Sequence, residues 1–396
     1  GGIGARLGVR RDTTLIVSVL PASPAARARL KPFDRIVTVA GHAVVGLPTD
    51  SIVSLIRGPV GTPITLGLRR GLDDSAVEAS PVRAEVQIPS VPAGALLPDG
   101  VGVVRLAQFG PATAQETVEA MDWMVSGHAK AVILDLRDNP GGILEQALET
   151  AQLFLPLNSV LVQVRGRPGA GSESPRTSVA PRYPAIPLAV LINEGSASAA
   201  EVLAAALQEY HRAVVAGRQS YGKGSVQHIA NLPDGWAVKL TIARWYTPHG
   251  VGLDRGPQPE GQVIDPTEPH AGGVHPDILL PRDTVPELVT RAALAAGPRW
   301  DSLNLAILDW IQAAADTMSG LQPDFEADSG AALALITRVG MDQSPPGTAP
   351  VLTEWVRRAL SRGVVGARFG EMEDGAWGLM HDAEVAQVAD SLLARR

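Results

Sequence analysis

The segment from Ser196 to Lys223, SASAAEVLAAALQEYHRAVVAGRQSYGK, constrains this chain more than any other part of it. An apolar run, LAVLIN, leads into it, and GSVQ closes it at Gln227. A serine-bearing helix start, a second apolar strand and a lysine in a glycine turn follow in order. One βα unit of a sheet therefore carries both a hydroxyl and an amine at its edge, the layout of a serine nucleophile with a lysine base.

Composition narrows the classes that such a unit can belong to. With 396 residues, the chain is long enough for two or three domains, each with its own core. Charged residues make up 19% and hydrophobic ones 45%, which fits a folded protein and not a disordered one. A net charge of −7, with no basic block, argues against nucleic acid as the partner, because neutralising phosphates needs clustered Lys and Arg. The absence of cysteine removes disulfides and thiolate metal sites. No apolar run reaches the roughly eighteen residues of a membrane span. The sequence opens at Gly1 without a methionine, so a targeting segment ahead of it stays open and location is not read from these residues.

The punctuation divides the chain into three parts, 1–90, 91–285 and 286–396. In the first, β-type runs TLIVSVL, DRIVTVAGHAV and PITLGLRR surround a helical TDSIVSLIRG, which predicts a small, partly open β-barrel or sandwich. A connector rich in proline, IPSVPAGALLPDG, leads to alternating strands and helices. Thr113 and Glu116 have capping-box spacing ahead of Val118, Met121 and Val125, and Gly127 marks the stop. KAVILDL reads as a strand buried on both faces, and Leu144, Ala147, Leu148 and Ala151 repeat at helical spacing. This order predicts an α/β core. The stretch from Arg165 to Pro184 has no period and is expected as a mobile surface loop near the site. Beyond Pro286 only helical patterns remain, with Trp300, Trp310 and Trp355 inside them, an expected dimerisation or capping region.

Each motif also has a plainer reading. Ser198-x-x-Glu201 is by itself a good capping box, whereas a hydroxyl at a helix start also lies beside unpaired N–H groups able to hold an oxyanion. Gly217 to Lys223 reads G-x-x-x-x-G-K, yet Gly224 replaces the hydroxyl residue of a phosphate loop and SVQHIANL reads as a strand, which argues against nucleotide binding. Alone, Lys223 would be an ordinary surface lysine. The third element is Leu136-Arg-Asp-Asn-Pro-Gly-Gly142, where paired glycines after a strand let backbone N–H groups face a site at the carboxyl edge of the sheet. None of the eight histidines falls in these motifs or in an HExxH pattern, which disfavours a Ser-His-Asp triad and a zinc peptidase.

Together LRDNPGG, GSASAAE, SYGKGSVQ, ARWYTPHG and GVHPDI resemble, in order and spacing, the carboxyl-terminal processing peptidases, PDZ-containing serine proteases. The resemblance covers about residues 1–282. It implies an α/β, multidomain (α+β) architecture: a PDZ β-barrel domain, a spiral core like that of crotonases and Clp peptidases, and a helical C-terminal region. It places the nucleophile on Ser198, the general base on Lys223 and the residue orienting its amine on Gln227. The oxyanion hole falls on Ala199 with one of Gly141 or Gly142, and Ser196 is a competing hydroxyl given a supporting role. To act as a base near neutral pH, Lys223 is expected to be buried among apolar walls.

In the first domain, Gly2-Ile3-Gly4 resembles the carboxylate-binding loop of a PDZ domain, and Arg57 is a candidate reporter of bound peptide. Ala28-Arg-Leu30, Pro32-Phe-Asp34 and Ala40 depart from the usual pattern. Glu209 stands where some relatives carry Asp; it and Glu201 are left outside the catalytic set. Trp245 and Tyr246 are candidates for the substrate groove or for core. The resemblance implies a serine endopeptidase acting on unstructured carboxyl-terminal tails without a cofactor, outside the cytoplasm in the periplasm or cell envelope; a homodimer or a regulatory partner stays open. Two other classes compete: a non-catalytic PDZ scaffold with a degenerate core, and an acyl-thioester enzyme on a related spiral fold, which the PDZ-like front end disfavours.

Overall fold

The computed structural model describes the chain except residues 72–73, 167–171, 232–235, 257–270, 283–284, 343–346 and 396, and except the side chains of 228, 229 and 231. Two compact units form. Gly1–Ile88 gathers with Thr284–Gly378, and Pro89–Asp283 with Leu379–Arg396, so the C-terminal helices are divided between the two.

The first unit starts with strands β1 (Ala5–Arg10) and β2 (Thr13–Val19), a short helix α1 (Pro24–Arg27), β3 (Arg35–Val39), β4 (His42–Ala43), helix α2 (Thr49–Ile56), β5 (Leu66–Arg70) and β6 (Ser75–Ala79). The sheet order is β1-β2-β3-β5-β6 with β4 on β3, so β1 is an edge strand. Alternation drives this part: Ile16, Ile36, Val39, Leu66 and Leu68 turn inward and meet Ile52 and Ile56 of α2.

The second unit is built on a six-stranded sheet. Its members are β7 (Ala93–Leu96), β8 (Val101–Arg105), helix α3 (Thr113–Ser126), β9 (Ala131–Asp135), α4 (Leu144–Gln152), a side hairpin β10 (Gln163–Gly166) and β11 (Ser172–Glu173), then β12 (Leu188–Ile192), α5 (Ala199–Glu209), β13 (Val214–Gly217), β14 (Ser225–Asn231), β15 (Ala237–Tyr246) and β16 (Ile278–Leu279). The main sheet runs β16-β13-β12-β9-β8-β7, parallel except at β7, while β11-β10-β15-β14 form a separate antiparallel sheet. Every residue of β9 and β12 is buried, as the unbroken apolar runs demand of central parallel strands. Helix α5 is buried from Ala199 to Leu207, so its small side chains let it lie within the core.

The remaining helices are α6 (Glu287–Ala296), α7 (Pro298–Thr317), α8 (Ser329–Arg338), α9 (Thr348–Phe369), α10 (Glu371–Met380) and α11 (Ala383–Ala394). In the first unit α6 to α9 share one core, on which Trp300, Trp310 and Trp355 pack as expected, with the Trp300 and Trp355 rings 5.2 Å apart. Helix α11 belongs to the second unit, where Val385, Val388, Ala389 and Leu392 are buried. Among the described residues no helix is long and apolar enough to cross a membrane.

Three local expectations are corrected. Thr113 is not the cap of α3 but its buried first residue, 2.7 Å from Ser90 Oγ, and Glu116 instead accepts from the N–H groups of Ser90 (2.7 Å) and Val91 (2.9 Å). The inward stripe of α3 is Thr113, Thr117, Met121 and Met124, which leaves Val125 exposed. The proline-rich connector contains β7, which closes the sheet by pairing with β8. Of the segment 165–184, residues 167–171 lie outside the described residues. Elsewhere in that segment β11 pairs with β10, and buried Tyr183 packs on Phe154 and donates to Asp122 at 2.7 Å.

Candidate active site

The carboxyl ends of β9, β12 and β13 present three successive loops. After β12, Asn193 begins a tight turn in which its N–H donates to Ser196 Oγ (2.9 Å), and Ser196 Oγ donates to Leu136 O (2.8 Å). Ser196 is fully buried and its hydroxyl is spent on this link, so it is the structural serine of the pair. Ser198 follows at the N-cap of α5 with φ 59° and ψ −119°, a conformation that costs a non-glycine residue about 1–3 kcal/mol. A strained residue at a strand-to-helix turn is also the setting of a nucleophile elbow.

Glu201 holds that turn. Its Oε2 accepts the Ser198 N–H at 2.7 Å, the half of the capping box that the spacing anticipates. The same oxygen accepts the Lys223 N–H at 2.8 Å, and Oε1 accepts Ser220 Oγ and the Gly222 N–H, each at 2.6 Å. A buried carboxylate with four donors is thus the joint between the serine turn and the lysine turn. Burial pushes the Glu201 pKa above the ordinary glutamate value, with Ser220 and the three backbone donors opposing the shift. The capping-box spacing does not reveal this joining role of Glu201, because the other three donors lie 19 to 22 residues downstream.

The loop after β9 brings the glycines to Ser198. A Cβ on Gly141 would stand 2.7 Å from Ser198 Cβ and 2.9 Å from Ala199 N, and φ is +93°, so glycine alone fits there. The N–H of Gly141 is taken by Asn139 Oδ1 at 2.9 Å, and its carbonyl accepts from Phe109 N–H at 2.9 Å. That leaves Gly142, whose N–H has no acceptor among the described residues; the same holds for Ala199 at the first position of α5. Of the two glycines left open by the sequence, Gly142 is the one with a free donor. Asn139, wholly buried and bonded to Leu106 O (2.8 Å) and Ala197 N (2.9 Å), shapes this loop.

Lys223 departs from expectation. Its backbone is fixed, but its side chain is exposed and has no hydrogen bond or ion pair among the described residues. Glu201 grips the turn by its N–H groups, and none of the described residues makes a hydrogen bond or ion pair with the amine. Gln227, on β14 beside a bulge at Val226, is exposed as well. Around them, Arg255 stacks over the Tyr221 ring at 5.0 Å, Trp245 packs on the core, and Tyr246 carries the guanidinium of Arg165 at 4.1 Å. Glu209 Oε2 accepts the His249 N–H at 2.7 Å, tying the end of α5 to the TPHG loop.

In the first unit, the N–H groups of Ile3 and Gly4 have no acceptor among the described residues, while the Gly2 N–H bonds Ala84 O (2.8 Å) and Leu20 N–H bonds Gly4 O (3.0 Å). The loop is therefore held by its neighbours with two donors to spare, next to the open edge of β1. Arg57 caps α2 and is exposed.

Two family models and several known proteins match this chain. Residues 100–278 match the model of peptidase family S41, and residues 15–70 match a PDZ domain model. The chain belongs to peptidase family S41, the carboxyl-terminal processing peptidases. It is 37% identical over 270 residues to carboxy-terminal processing protease CtpA of Bacillus subtilis (strain 168), covering 67% of this chain and 56% of that protein. It is 33% identical over 268 residues to a probable CtpA-like serine protease of Staphylococcus haemolyticus (strain JCSC1435), covering 67% and 53%. Among solved structures it is similar to the photosystem II D1 C-terminal processing protease, with 28% identity, a TM-score of 0.40 and coverage of 70% and 72%. The chain spans a little over half the length of the curated relatives it matches.

Proposed function

We propose that this protein is a serine endopeptidase that recognises unstructured carboxyl-terminal tails through its PDZ domain and hydrolyses peptide bonds with Ser198 and Lys223. The observation that carries the reading is the attachment of both backbones to one oxygen of Glu201, at 2.7 and 2.8 Å, beside the unclaimed N–H of Ala199. Neutral Lys223 takes the Ser198 proton as Oγ adds to the scissile carbonyl. The oxyanion is held by the N–H groups of Ala199 and Gly142, and collapse expels the amine, which receives the proton. Water then attacks the acyl-enzyme while the lysine takes its proton, and collapse breaks the ester bond, releasing the carboxyl product as that proton returns to Ser198 Oγ. Gln227 orients the amine.

An exposed ammonium is a poor base, so in this reading bound substrate closes over Lys223 and shields the amine from water. The spare donors of Ile3 and Gly4 fit a terminal carboxylate, and the free edge of β1 fits an added strand. Location outside the cytoplasm, in the periplasm or cell envelope, follows from the family alone. The test is peptide hydrolysis by purified variants. Ser198→Ala and Lys223→Ala should each abolish turnover with the fold intact, and retained turnover in either overturns the dyad.

The exposure of Lys223 favours a second reading, a PDZ scaffold whose core is inert. A fluorophosphonate separates the two: labelling at Ser198 supports the enzyme, and none in the presence of carboxyl-terminal peptide supports the scaffold.

A further inference from the structure

Two arginines stand at the bases of the loops just described. Arg137 lies between β9 and Gly141, and Arg218 between β13 and the lysine turn, with side-chain exposures of 10% and 15%. Glu384, the second residue of α11, reaches both: its Oε2 accepts from Arg137 Nη1 at 2.8 Å and its Oε1 from Arg218 Nη1. Asp382, which caps α11 by accepting the Val385 N–H at 3.0 Å, also pairs with Arg137 at 2.9 Å. Behind them Arg137 grips Asp135 (2.7 Å) and Arg218 grips Glu194 (3.2 Å). Arg105 and Arg282 complete the set on Asp135 and Glu194 at 2.7 and 2.6 Å.

Four carboxylates thus meet four guanidiniums, and neutralising Glu384 takes one ion-pair partner from each of the two little-exposed arginines, Arg137 and Arg218. The cluster joins the carboxyl ends of β9, β12 and β13 to the last helix of the sequence. Docking of α11 does not need Glu384 for apolar contact, since Val385, Val388, Ala389 and Leu392 already bury that face.

We propose that Glu384 is a positioning residue for peptide hydrolysis: one oxygen on each arginine, it sets the spacing between the glycine loop and the lysine turn, making α11 part of the catalytic framework. The inference rests on the Ser198 and Lys223 reading above. A displacement of about 1 Å between reacting groups costs up to about a hundredfold in rate, and a side chain that bridges two loops is placed to prevent it.

The test uses the full chain and compares wild type, Glu384→Gln, Glu384→Asp, Leu392→Ala and Ser198→Ala. Casein hydrolysis gives kcat and KM, a fluorophosphonate gives the acylation rate at Ser198, and thermal unfolding gives the stability of each. Leu392→Ala loosens α11 without touching the arginines. Glu384→Gln should lower kcat and acylation by about tenfold or more with KM within about twofold, whereas Leu392→Ala keeps kcat per folded molecule and Glu384→Asp recovers part of the loss. Equal kcat loss in Glu384→Gln and Leu392→Ala, or a change confined to KM, overturns the inference. Amide exchange should quicken in Glu384→Gln at both 137–142 and 218–223; unchanged exchange at either loop also overturns it. Turnover retained by Ser198→Ala rejects the dyad instead, and the exchange measurement then decides this inference by itself.

Discussion

Ser198 and Lys223 hang from a single oxygen atom, Glu201 Oε2, which accepts the N–H of the first at 2.7 Å and of the second at 2.8 Å. The distance between the two turns is therefore set by a buried carboxylate and not by a contact between the two side chains. This separates the holding of the backbones from the chemistry of the side chains.

Glu201→Gln should weaken both. The amide keeps the volume but turns one end into a donor that faces existing donors, which is expected to cost about 2–4 kcal/mol. Urea unfolding measures the loss, and fluorophosphonate labelling of Ser198 should slow in the same variant. Unchanged labelling would remove Glu201 from the site.

Gly141→Ala should cripple the site while sparing most of the fold. Its methyl would meet Ser198 Cβ at 2.7 Å and Ala197 O at 2.7 Å, so the glycine loop or the serine turn has to give way. A shift of that size displaces Ser198 from the oxyanion donors, so kcat/KM should fall by about a hundredfold or more. Steady-state hydrolysis with a circular dichroism control checks this.

Ser196→Ala separates the two hydroxyls. Its Oγ links Asn193 N–H to Leu136 O within a fully buried turn, so losing it should cost about 1–3 kcal/mol while Ser198 still labels. Loss of labelling at full stability would reverse the assignment of the two serines.

Asp135 gives a pH prediction. Burial would raise its pKa, but Arg137 and Arg105 outweigh that and hold it below the ordinary aspartate value. The folded state then binds fewer protons than the unfolded one, so this stabilisation is full above an unfolded pKa of about 3.9 and is lost as pH falls through the lower folded value. Asp135→Asn should cost about 3–5 kcal/mol at neutral pH. Unfolding free energies measured from pH 7 downward should converge for the two proteins in acid.

Much of the core could be read along the chain. The strands β9 and β12 announce themselves because a strand buried on both faces has to be continuously apolar, and Ser198, Lys223 and the paired glycines sit in short motifs whose spacing is local. Thr113 misled because a capping box and a buried helix start share one spacing, and only the position of Ser90 distinguishes them. The connector hid β7 for a similar reason: pairing with β8 is not a property of the connector.

The sequence by itself determined the order of elements and the residues offered to the site, because backbone propensity and apolar period act over a few positions. Tertiary structure alone decided which oxygen joins Ser198 to Lys223, which glycine keeps a free N–H, and that Glu384 reaches Arg137 across 247 positions. Hydrogen bonds and buried charges depend on distances through space, which the fold sets and a local pattern does not contain. The exposure of Lys223 is of the same kind: solvent reaches an amine unless another part of the molecule, or a substrate, lies over it.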